Sequence, residues 1–127
     1  MDEFEALAVA SAISGAAPFL TTTVGRIEHD DENQRNVMVE LDDSSALLVQ
    51  KEVRWSVSVV SVTTGRIEPQ YVFESTLAPT DTDGVAREVL KLARRFYFGD
   101  FGLVSGVADP FGRRDQLETA IKGLEGV

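Results

Sequence analysis

A chain of 127 residues, 43% hydrophobic and 26% charged, carries enough apolar material for one core and too much to stay unfolded. It contains no cysteine, which excludes a disulfide framework, a thiolate zinc site and cysteine catalysis together. Net charge is −9, with 15 acidic and 5 basic residues up to Asp83 and 6 and 7 beyond it, so phosphate backbones meet repulsion first and no basic stripe later.

In chain order, Asp2 to Ala16 predicts an Ala-rich helix, opened by acidic residues that complement its dipole and closed by Pro18. Phe4, Leu7, Ala8 and Ser11 make one stripe, and Val9, Ile13 and Ala16 an adjacent one. An apolar surface this broad predicts packing on a sheet or on a second copy of the chain. Ala6 to Leu20 is uncharged, but it is shorter than the roughly 20 residues of a spanning helix. The acidic start is also the opposite of an export signal's basic one. The expectation is a cytoplasmic protein with no membrane partner.

Phe19 to Glu28 and Asn36 to Leu41 read as two strands around a charged turn, with Gly25 weakening the first. Ala46 to Glu52 fits either a strand or a helical turn. Val53 to Leu77 is the strongest hairpin pattern and the expected centre of the sheet. Val53, Trp55, Val57 and Val59 alternate with Arg54, Ser56 and Ser58, and the beat then slips at Val59–Val60, which predicts a bulge there. Ile67, Tyr71, Phe73 and Leu77 return after Gly65 as core candidates.

Val85 to Tyr97 is the clearest amphipathic helix, apolar at Val85, Val89, Leu90, Leu92, Ala93 and Phe96. Phe101 to Ala108 reads as a further strand, and Arg113 to Glu125 as a closing helix with a Glu118–Lys122 pair. Consecutive strands without intervening helices predict one α+β domain over residues 1–127. Its antiparallel sheet has four to five strands, with the N-terminal helix and two C-terminal helices packed mainly on one face.

The motifs of chemistry fail one by one. His29 is the only histidine, and it stands in a charged turn without a Gly-x-Ser-x-Gly elbow anywhere. The acidic turns lack the spacing of an EF-hand. Gly99, Gly102 and Gly106 match neither a dinucleotide loop nor a phosphate loop with its lysine. Phe96, Tyr97, Phe98 and Phe101 beside Arg94 and Arg95 have the composition of a base-stacking platform, but in an acidic domain they read as core at a helix–strand junction. No catalytic residue, metal ligand or cofactor is therefore assigned.

From Tyr71 onward the chain resembles the type III secretion chaperone-like fold and the bacterial sensory-transduction-regulator family that shares it. The resemblance lies in Val72 to Pro79, a strand running into a polar turn, and in Leu92 to Leu103, a helix ending in an aromatic-glycine corner. Ala93-Arg94 stands where that family often has an asparagine, and one strand fits between the last two helices. The resemblance implies a non-enzymatic, usually dimeric module that binds another protein. The expected function is thus protein binding or chaperone-like action, with another protein or a second copy as partner. The alternative is a viral tail-terminator or neck subunit that assembles into a ring. The residues assigned to a partner surface are Phe4 and Leu7 with the acidic turn residues Asp30, Asp31, Glu32, Asp42 and Asp43. The acidity itself has a second explanation, a salt-adapted composition.

Overall fold

Asp2 starts the first helix, α1 (Glu3–Ala16). Its carboxylate accepts a hydrogen bond from the backbone N–H of Glu5 at 2.8 Å, an N-cap with Glu3 and Glu5 in the first turn. Ala17 closes the helix by donating its N–H to Ile13 O at 2.7 Å, directly before Pro18. The computed structural model describes residues 1–26, 34–41, 45–51, 55–63, 66–73, 82–97 and 112–124, with the backbone alone for 26, 61–63 and 66–73.

Five strands follow: β1 (Thr22–Arg26), β2 (Arg35–Glu40), β3 (Ser45–Lys51), β4 (Trp55–Thr63) and β5 (Arg66–Phe73). Each pairs antiparallel with the next, so the sheet order is the sequence order. The middle of this meander is β3, and the Val53–Leu77 hairpin supplies β4 and the terminal β5. The hairpin is therefore displaced from the centre that its alternation predicts. The ambiguity of Ala46 to Glu52 has the same origin. Ser45 to Val49 are all buried, because β3 is covered on both faces and has no wet side to produce a period of two.

Two apolar clusters line the two faces. On one, Val37, Val39, Leu47, Val49, Trp55, Val57 and Val59 join the helices in a single core. On the other, Ala46, Leu48 and Val60 form a smaller cluster with Met38 against it. Ser58 lies on that second face and is buried, which corrects its expected place on a wet surface. The same arrangement explains the apparent slip at Val59–Val60. Both valines are buried, one on each face, while β4 pairs with β3 in unbroken register through both. The register shift does fall between Val59 and Val60, but on the β5 side: Val59 faces Tyr71, Val60 faces Pro69, and Gln70 is the extra residue. Gly25 faces Asn36 across the β1–β2 pair, where a Cβ would stand 2.5 Å from Asn36 Oδ1; the glycine makes room for that amide.

The C-terminal helices are α2 (Thr82–Tyr97) and α3 (Arg113–Leu124), packed on each other, with α2 also against α1. Val85, Val89, Leu90, Leu92, Ala93 and Phe96 are buried, as the amphipathic pattern predicts. Phe96 and Tyr97 meet edge to face at 5.4 Å inside the protein, and the Tyr97 hydroxyl donates to Leu41 O. Half of the possible stacking platform is therefore core; Phe98 and Phe101 lie outside the described residues. Arg114 Nε donates to Tyr97 O at 2.7 Å and ties the start of α3 to the end of α2. Gly112 precedes α3 with φ of 67°, a left-handed backbone that favours glycine. The expected strand at Phe101–Ala108 lies outside the described residues, as do the side chains of Ile67, Tyr71, Phe73 and Leu77.

Candidate functional site

At about 100° per residue, α1 separates its side chains into two opposed faces. Ala6, Val9, Ala10 and Ile13 point into the core. Phe4, Leu7, Ala8, Ser11 and Gly15 occupy the other side. Phe4 is 85% exposed and Leu7 49%, while no charged residue occurs between Ala6 and Leu20. A surface helix ordinarily turns charge outward, so α1 is apolar on the side that faces water as well as on the side that faces the core.

The base of α1 is held firmly enough to keep that face outward. Lys51 Nζ, at the end of β3, lies 2.7 Å from Glu5 Oε2 and 5.2 Å from the centre of the Trp55 ring. The Met1 ammonium donates to Gln34 Oε1 at 2.7 Å and to Lys51 O at 3.0 Å, and the Arg35 N–H donates to Met1 O at 2.8 Å. These contacts join the first turn to the ends of β2 and β3.

Beside the exposed stripe, an open groove of about 670 Å³ runs between the second half of α1 and α3. Ser11, Ala12 and Gly15 form one wall, and Thr119, Gly123 and Leu124 the other. Phe19 lies at one end, with the Arg113 guanidinium 5.0 Å from its ring centre. Arg113 also donates to Gln116 Oε1 at 3.2 Å, another residue of the groove. Asp83, in the first turn of α2, is the carboxylate in the lining, and the helix dipole offsets its charge there.

A Cβ added at Gly15 or Gly123 would meet nothing within 4 Å. Neither glycine has the positive φ that a left-handed helix cap needs. Within the chain, alanine would fit at both places and would favour the helix by roughly 0.5–1 kcal/mol. At both places the helix backbone is open to close approach.

Of the residues expected to meet a partner, Phe4 and Leu7 stand together on the outer face of α1. Asp30, Asp31, Glu32, Asp42 and Asp43 lie outside the described residues, as do His29 and Gly99, Gly102 and Gly106. Among the described residues, no group of three or more acidic, histidine or cysteine side chains is placed to hold a metal ion. No helix among them is long and apolar enough to cross a membrane. The groove is absent from the sequence reading because its walls are about a hundred residues apart in the chain. The local signal that points to it is a glycine inside a helix, Gly15 on the uncharged outer stripe of α1 and Gly123 on the face of α3 that carries Gln116 and Thr119.

No protein-family model, curated protein or solved structure matches this chain. The family resemblance drawn from Tyr71 onward stands on residues of which 74–81 and 98–111 lie outside the described structure.

Proposed function

We propose that this protein is a non-enzymatic binding module of chaperone-like character, which engages another protein or a second copy of itself through the outer face of α1 and the adjoining groove. The observation that carries this reading is Phe4, 85% exposed on a helix whose outward side has no charge from Leu7 to Gly15. Burying a phenylalanine or leucine side chain contributes about 1.5–3 kcal/mol each, and a complementary surface can draw on that stabilisation at Phe4 and Leu7. Micromolar affinity requires about 8 kcal/mol, so the two side chains need the groove beside them to make a lasting contact. A cysteine-free chain suits the reducing cytoplasm, where we place its action.

The test is site-specific photo-crosslinking. A photoreactive phenylalanine at Leu7 should form protein adducts, to this chain or another, and the same group at Arg95 on the outer side of α2 should form few. Equal yields from the two positions, or none from Leu7, would remove the reading.

A further inference from the structure

We infer that the occupant of the groove is α1 of a second copy, docked antiparallel about a two-fold axis; this deepens the binding reading and rests on it. In an antiparallel pair centred between Val9 and Ala10, each position meets the one equally far beyond the centre. Phe4 then faces Gly15 of the partner copy, Leu7 faces Ala12, and Ala8 faces Ser11. The large residues stand at one end of the stripe and the small ones at the other, so the pattern is complementary to itself only when one helix is reversed. The exposed Phe4 ring arrives where Gly15 leaves the backbone of α1 bare.

Charge agrees with that direction. The helix that enters begins with exposed Asp2 and Glu3, and α1 has no basic residue in its own last turn. At the Phe19 end of the groove, the cation comes from Arg113 on α3. Reversal thus brings each acidic start towards the other copy's arginine and sets the two helix dipoles side by side and antiparallel. From Ala6 to Leu20 α1 itself brings no charge to the contact, and the carboxylate in the groove lining is Asp83 in the first turn of α2, in a chain whose net charge of −9 otherwise opposes self-association.

The full chain is measured by size-exclusion chromatography with light scattering over a dilution series. A species of twice the 13.9 kDa chain mass is expected at high concentration. Gly15→Gln should weaken the dimer by at least about tenfold, which corresponds to about 1.4 kcal/mol, while circular dichroism stays that of the folded chain. Should Gly15→Gln fail to fold, Gly123→Gln blocks the same groove from α3 and gives the same reading. A dimer unchanged by both folded variants overturns the inference.

Direction is read with cysteines, for which the natural background is zero. Chains carrying Ala8→Cys, mixed with chains carrying Ser11→Cys, should crosslink to each other faster than either does to itself. A parallel pair would place like positions opposite and reverse that order, which would overturn the proposal. A wild-type chain that stays monomeric throughout also overturns it. Adducts from Leu7 to a different protein would then keep the binding reading standing, so the two failures are distinguishable.

Discussion

Helices α1 and α2 contribute to the same core over the same face of the sheet, yet they show water opposite surfaces. On α2 the outward positions hold Arg87, Glu88, Lys91, Arg94 and Arg95, with Lys91 Nζ 3.7 Å from Glu88 and Arg94 Nη2 4.0 Å from Glu118 on α3. On α1 the corresponding side is Phe4, Leu7, Ala8, Ser11 and Gly15. A helix with one apolar stripe completes its burial when its own chain folds. A helix that is apolar all round completes only half of it, and its second half has stabilisation to offer to another surface.

Measurements that break or sharpen this contrast begin with the inner faces, where the two helices should behave alike. Ile13→Ala on α1 and Leu90→Ala on α2 each remove a fully buried side chain. Each should cost about 2–5 kcal/mol in chemical denaturation, because lost transfer energy and the cavity add. A much smaller loss at Ile13 would mean that α1 is not part of the core.

Tyr97→Phe removes the hydroxyl that donates to the buried Leu41 carbonyl and should cost about 1–3 kcal/mol, since it leaves an acceptor without its partner. Replacing the α1 cap, Asp2→Ala, should cost about 0.5–2 kcal/mol and shift the thermal midpoint by a few degrees. Glu5→Gln breaks the Lys51 contact at a site where both side chains are about one-third exposed, so its effect should stay under about 1 kcal/mol and shrink with added salt.

The smallest stability effect belongs to the outer face, and there the contrast is sharpest. Phe4→Ser should change the unfolding free energy of the isolated chain by no more than about 0.5 kcal/mol, because the ring is exposed. It should nevertheless abolish the association read by light scattering. An equivalent outward change on α2, Arg95→Ser, should leave the association unchanged. A large stability loss from Phe4→Ser in dilute monomer would show that the ring packs within its own chain.

Local patterns were enough for the helices and for most of the sheet. Asp2, Pro18 and the apolar period of Val85 to Phe96 mark helix ends and faces through interactions within a few residues, and these survive folding unchanged. The alternation of Trp55, Val57 and Val59 likewise marks one face of β4. What local pattern could not supply was a second covered face. Once Ala46, Leu48, Ser58 and Val60 are buried behind the sheet, a strand loses its polar beat, and β3 at the centre reads as ambiguous; the slip at Val59–Val60 does mark the register shift of β4 against β5.

The sequence by itself determined the α+β class, the presence and apolar faces of the helices and the prominence of Phe4 and Leu7, because these follow from short-range spacing and composition, although α2 begins at Thr82, one turn before the expected Val85. Only the tertiary structure decided that β3 is the centre, that Gln70 carries the extra residue, and that Phe4 and Leu7 stay outside while Val9 and Ile13 go in. It also decided that Gly15 and Gly123 face one groove. Each of those depends on which distant segments come together, and burial is a property of that assembly rather than of any residue in it.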